Sequence, residues 1–155
     1  MKITDAFLGE HAVFYAQFAH IEQTVPGAEC LCRVKHQAGL LAAALASHAH
    51  LEDDLLFVHL EPHLGTQAGP LTVMRAEHEE IESGLSALPD CDDLSEGKAL
   101  FLHTVLVARQ HFSKEEKILY PIAQQVLDED TLLQLGGEWA ELRSVSICSE
   151  AMCSH

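Results

Sequence analysis

Eleven histidines stand in a chain of 155 residues, and several occupy positions where a helix core needs an apolar side chain. His48 and Glu52, and likewise His111 and Glu115, are four residues apart, one helical turn or ~6 Å, so each pair faces one side. The first pair falls on a stripe with Leu41, Leu45 and Leu55, the second on a stripe with Val107, Ile118 and Ile122. His78 replaces an apolar residue in the series Leu71, Met74, Ile81, Leu85, Leu88, and His11 sits among Phe7, Phe14, Tyr15 and Phe18. A charged carboxylate on such a stripe costs several kcal/mol unless it is paired or bound to metal. No basic residue lies on these stripes to pair with it. Imidazole nitrogen and carboxylate oxygen presented at this spacing on facing helices form a ligand set for iron, and also for manganese or zinc. A metal, and with this many donors a pair of metals, resolves the conflict.

The other histidines fall elsewhere. His20 lies ~180° from His11 and His50 ~200° from His48 around their helices, so both are expected in solvent. His103, two turns before His111, is too distant to share its metal and is expected in the core or behind a ligand. His36, His59 and His63 read as surface or helix-end residues.

The elements that must position these groups are helical throughout, and strand-like alternation is absent. Four long amphipathic segments are predicted. They cover about Thr4 to Thr24; Glu29 to Glu61, stopping at Pro62; Pro70 to Leu88, with proline in the first turn; and a fourth capped by Ser95 that runs to about Leu127, kinked or interrupted at Pro121. A shorter fifth helix over residues 131 to 144 follows the acidic turn Asp128-Glu129-Asp130 and holds the single tryptophan, Trp139. The stretch His48 to Val58 aligns without gaps on His111 to Pro121, and Leu8-Gly-Glu10-His11 matches Arg75-Ala-Glu77-His78 at the Glu-His pair. The chain therefore reads as two copies of one helical hairpin. The expected fold is all-α, an up-down-up-down four-helix bundle with a short C-terminal fifth helix and tail, organised as one bundle over 1–144 and a flexible tail over 145–155.

Composition narrows the function classes. One domain's worth of sequence with 48% hydrophobic residues can bury a core of its own. Nine basic against 24 acidic residues give a net charge of -15, which repels phosphate backbones and anionic membranes. Nucleic acid and membrane are thus not expected partners. With no signal-like or membrane-spanning run, a soluble, cytoplasmic protein is expected. The five cysteines (Cys30, Cys32, Cys91, Cys148, Cys153) are expected to be mostly free thiols. Cys148, Cys153 and His155, on the tail, are expected to be incidental to the bundle.

With one histidine on the first helix (His11), His-x-x-x-Glu on the second (His48, Glu52), one histidine on the third (His78) and His-x-x-x-Glu leading to an aromatic residue and proline on the fourth (His111, Glu115, Tyr120, Pro121), the sequence resembles the hemerythrin-like, or HHE cation-binding, family over about residues 5 to 127. Ferritin-like bundles differ, since their signature is Glu-x-x-His. The resemblance implies a non-haem di-iron centre, oxo- or hydroxo-bridged, with Glu52 and Glu115 between the irons and the histidines capping them. Hemerythrins proper carry a further ligand histidine one turn beyond the third-helix histidine, where this chain has Glu82, and Glu82 is taken as a seventh candidate ligand. Some relatives place a carboxylate directly after the second-helix histidine, where this chain has Ala49. The departures imply a centre that binds or senses dioxygen or iron rather than one that carries dioxygen reversibly. The other implied class is a di-iron redox enzyme or repair protein acting on peroxide or nitric oxide. In either case the expected partner is a small diatomic ligand or peroxide.

Overall fold

The computed structural model describes residues 1–65 and 69–146, all-α and without a strand among them. Four antiparallel rods form the bundle. The first is α1 (Ile3–Thr24). The second begins as α2 (Leu31–Leu51), passes through a π-helical turn, π1 (Glu52–Phe57), and continues as α3 (Val58–Leu64). The third is α4 (Pro70–Ala87), finished by a 3-10 turn over Leu88–Asp90. The fourth repeats the pattern of the second: α5 (Leu94–Lys114), π2 (Glu115–Leu119) and α6 (Tyr120–Val126). A fifth helix, α7 (Glu129–Leu142), packs along α1.

Helix ends follow local chemistry. Pro70 opens α4, where its missing N–H has no intrahelical acceptor to lose. Asp93, rather than Ser95, caps α5 by accepting from the Glu96 N–H at 2.8 Å. Asp128 does the same for α7, accepting from Thr131 N–H at 2.8 Å, so the acidic turn expected before the helix is its first turn. Pro62 lies inside α3 instead of ending it, and the rod stops at Gly65, whose φ of 80° suits a residue without a Cβ. Cys30 and Cys32 are joined by a disulfide, unlike the free thiols expected. The turn into α2 brings their Cα atoms to 5.3 Å, within bonding reach, and Cys91 remains free. Cys148, Cys153 and His155 lie outside the described residues. No described helix is long and apolar enough to cross a membrane.

The π turns change which residues face inward. Each adds a residue to its turn, so positions beyond it rotate by ~100° relative to a regular helix. In the fourth rod Leu119, Tyr120 and Ala123 are buried, while Ile118, which a 3.6-residue period turns inward, is 53% exposed. In the second rod the same rotation buries Leu56, Phe57 and Leu60.

The apolar core is consequently in two parts. One gathers Phe7, Leu56, Phe57, Leu60, Leu119 and Trp139; the other gathers Phe14, Phe18, Leu41, Leu85, Phe101 and Phe112. On all four rods the histidines and glutamates picked out above lie between the two parts. α7 completes the first, and its approach to α1 is so close that a Cβ at Gly136 would collide with the Met1 carbonyl oxygen.

Candidate metal centre

Between the two apolar clusters lies a layer of polar side chains with almost no exposed surface: His11, His48, Glu52, His111 and Glu115 are each no more than 1% exposed, and the His78 side chain is 10% exposed. Two groups of donor atoms form within it. His11, His48, Glu52 and Glu115 make one, and Glu52, His78, His111 and Glu115 the other, the donors of each lying within 4.8 Å of one another. Glu52 and Glu115 belong to both.

In the first group His11 Nε2 is 3.1 Å from His48 Nε2 and 3.4 Å from Glu115 Oε2, and His48 Nε2 is 3.3 Å from Glu52 Oε2. In the second, His78 Nε2 is 3.4 Å from Glu52 Oε2 and His111 Nε2 is 3.2 Å from Glu115 Oε1. The Nε2 atoms of His78 and His111, Glu52 Oε2 and both Glu115 oxygens are buried without a hydrogen-bond partner. Folded proteins seldom leave such atoms unpaired. Here they converge on one another, which is the arrangement a cation satisfies, and the mixed imidazole and carboxylate set suits iron, manganese or zinc.

A second ring of carboxylates orients the imidazoles from behind. His48 Nδ1–H donates to Glu10 Oε2 at 2.6 Å, His111 Nδ1–H to Glu77 Oε2 at 3.0 Å and His11 Nδ1–H to Glu116 Oε1 at 2.9 Å. His78 Nδ1 faces Asp53 Oδ2 at 3.5 Å. In the neutral imidazole each of the three hydrogen bonds places the proton on Nδ1 and leaves the Nε2 lone pair pointing inward, as a metal-binding histidine requires. Three of the four carboxylates are themselves held by a cation. Arg143 and the Trp139 indole N–H, both on or just after α7, donate to Glu10; Arg75 sits 3.4 Å from Asp53; and Lys114 bonds Glu77.

These four acids escape a reading of the apolar stripes because they sit one residue away from them. The signal that finds them is the repeat itself: Glu10-His11 corresponds to Glu77-His78, and Glu52-Asp53 to Glu115-Glu116. The pairing obeys the same symmetry. Glu10 and Glu77 each orient a histidine of their own hairpin, and Asp53 and Glu116 each orient one of the other hairpin.

Tyr120 was noted only as the aromatic residue before Pro121, yet π2 turns its hydroxyl into the centre, where it donates to Glu52 Oε1 at 2.5 Å and lies 3.2 Å from His11 Nε2. Glu82 does not join either donor group. It is exposed at ~40° from the inward stripe of α4 and lines a cavity beside the centre. His103 is exposed rather than in the core, because eight residues place it ~80° around α5 from His111. His20, His36, His50, His59 and His63 are exposed as expected.

In metal-free protein the layer is an ion network. Burial alone would lower the imidazole of His78, but the carboxylates of Asp53, Glu52 and Glu115 push it up to about 10. Burial likewise opposes protonation of His11 and His111, and their contacts with Glu115 and Glu52 override it upward. Burial would raise Glu52, but the charges of His48, His78 and His11 hold it well below the usual carboxylate range. Glu10 is brought down to about 2 by His48 and Arg143 against its own desolvation. A metal entering this layer must therefore displace protons from the histidines.

No curated protein and no solved structure gave a match to the chain. The family model for the hemerythrin HHE cation binding domain matches residues 2–123, a span that takes in the four rods up to α6 and every member of both donor groups. The paired His-x-x-x-Glu turns, the lone histidines facing them and the bundle that brings them together thus agree with the match: the chain belongs to the hemerythrin HHE cation-binding family.

Proposed function

We propose that the protein is a non-haem di-iron protein that binds or senses dioxygen or iron. The observation that carries this reading is the sharing of Glu52 and Glu115 by two donor groups, which offers two adjacent metal positions with a carboxylate oxygen toward each. Six side chains supply those positions, fewer than two six-coordinate ions would take, so places remain for a small ligand. Iron bound there supplies one-electron redox chemistry and Lewis acidity. The chain's own residues fix the rest. Glu10, Glu77 and Glu116 hold three of the imidazoles in one tautomer, Asp53 faces the fourth, and the Tyr120 hydroxyl, held on Glu52, stands as a hydrogen-bond donor inside the layer.

A second reading, a redox enzyme or repair protein acting on peroxide or nitric oxide, is favoured by one feature: the His78 and His111 half borders a cavity open to solvent. One experiment separates the two. Iron content per chain is measured first; the centre is then reduced without oxygen and exposed in turn to dioxygen, peroxide and nitric oxide while its optical spectrum is followed. Two irons per chain with stoichiometric, non-repeating spectral changes support a sensor, and repeated turnover of peroxide or nitric oxide supports the enzyme. Retention of at most one ion per chain overturns the di-iron reading.

A further inference from the structure

The cavity beside the centre is much larger than a diatomic ligand requires. It encloses about 550 Å³ between α2 and α4, against ~30 Å³ for a water-sized molecule, and falls within the range of sites for organic ligands. Its size has a cause in the sequence. On α2 the positions facing α4 run 42, 46, 49, 53, and the first three are alanines, so Ala42, Ala46 and Ala49 leave a gap that larger residues would close. Leu45 on α2 and Ile81 and Leu85 on α4 supply buried apolar wall.

The floor differs from the walls. His48, His78 and His111 line it, and the buried Nε2 of His111, on a side chain only 1% exposed, has no hydrogen-bond partner among the described residues. Exposed Glu79 and Glu82 stand among the lining residues toward solvent. Arg75 also lines the cavity but is paired with Asp53 and Glu61, so the acidic groups, on a chain of net charge -15, disfavour an anion, and the apolar walls disfavour a hydrated cation.

We infer that this cavity binds an uncharged organic molecule with an apolar body and one terminal oxygen or nitrogen donor, the body lying against Ala46, Ala49, Ile81 and Leu85 and the donor atom directed at the His78 and His111 half of the centre. The inference deepens the metal reading and rests on it for the polar anchor, whereas the apolar pocket belongs to the polypeptide alone.

The test uses the full chain, as purified and after metal removal, with 4-phenylimidazole, imidazole and benzoate as probes at pH 8, where both imidazoles are neutral. Methyl NMR signals of Leu45, Ile81 and Leu85 report occupation of the cavity, and the optical spectrum of the metal-loaded protein reports the donor atom. 4-Phenylimidazole should shift all three methyl groups and bind at least about tenfold more tightly than imidazole, as burial of a phenyl ring predicts, and benzoate should shift none of them. Ala46→Phe, at an exposed position that tolerates a larger side chain, should abolish the advantage of the phenyl group and leave imidazole unchanged; Ala42→Leu provides the same test should the first variant fold poorly. Equal affinity for the two imidazoles, tighter binding of benzoate, or a phenyl advantage that survives both variants would overturn the inference. Methyl shifts in metal-stripped protein support the pocket as a property of the polypeptide, whereas as-purified protein that neither holds nor takes up metal and yet shows them would remove the metal reading and leave the pocket standing.

Discussion

The two halves of the centre are built from corresponding residues and end in different surroundings. On one side His11 is sealed: it stacks on Phe112 with ring centroids 3.8 Å apart and lies 3.2 Å from the Tyr120 hydroxyl, while Phe14 and Phe7 pack against His48, the one donor of that side that touches the cavity. On the other side His78 stacks on Phe57 at 5.6 Å, but His78 and His111 also border the cavity. The donor types match, so the difference comes from the neighbours. α7 packs along α1 and, through Trp139 and the following Arg143, ties Glu10 in place; among the described residues no second helix does so for Glu77, whose cationic partner is Lys114 on α5. A duplicated hairpin thus gives a closed position suited to holding an ion and an open one suited to exchange with a ligand.

The strongest test removes what both halves share. Glu115→Ala should take out both positions at once, bringing metal content from two ions per chain to fewer than one. It should also destabilise the fold by about 3 kcal/mol, because three buried imidazoles lose a common carboxylate. Metal analysis together with chemical denaturation measures both, and normal loading with normal stability would end the reading of Glu115 as a shared ligand.

Separating the halves comes next. His48→Ala leaves a buried void and an uncompensated Glu10, so it should lower thermal stability by about 2 to 4 kcal/mol as well as metal content. His78→Ala, at a place water can reach, should cost about 1 kcal/mol or less while still emptying the open position. Equal destabilisation by the two variants would mean that the closed and open sides do not differ as described.

Proton release sharpens the contrast by pH. Because the His78 imidazole of metal-free protein is pushed up to about 10, against an unfolded value of about 6.5, metal must compete with its proton. Affinity at the open position should rise with pH, up to about tenfold per unit for each proton displaced, until the pH nears 10. The same shift gives metal-free protein a stability increment that is fully present below about 6.5 and is lost as the pH rises through about 10. Calorimetric titration in buffers of different ionisation enthalpy counts the protons, and a count of zero would contradict the ion network.

The smallest effect is expected just after α7. Arg143→Met removes two hydrogen bonds to Glu10 without touching the donors, and should weaken the closed position by about tenfold while leaving the open one unchanged. Loss at both positions would show that α7 supports the whole bundle rather than one histidine.

The inward donors were legible for a physical reason: a histidine or glutamate on a leucine stripe conflicts with burial, and the conflict is visible in the spacing alone. Thus His11, His48, Glu52, His78, His111 and Glu115 stood out before any coordinates, as did the bundle and the repeat. What periodicity could not show was the change of period. The 3.6-residue series carries Ile118 inward and Tyr120 away, and π2 reverses them. Glu82 shows the converse: it follows His78 by four residues, α4 stays regular there, and its side chain stands exposed at the cavity edge, outside both donor groups.

The two π turns also carry information about history. Each begins at the shared glutamate of its rod, at Glu52 and at Glu115, and each is followed by a short α-helical segment containing proline. A π turn arises when one residue enters a regular helix, and such an insertion is costly unless the widened turn is put to use. Two independent insertions at equivalent places in two hairpins require a coincidence that a single earlier one does not. One insertion followed by a doubling of the hairpin would account for both turns with a single event, so the repeat in the sequence and the repeat in the helix geometry share one economical explanation.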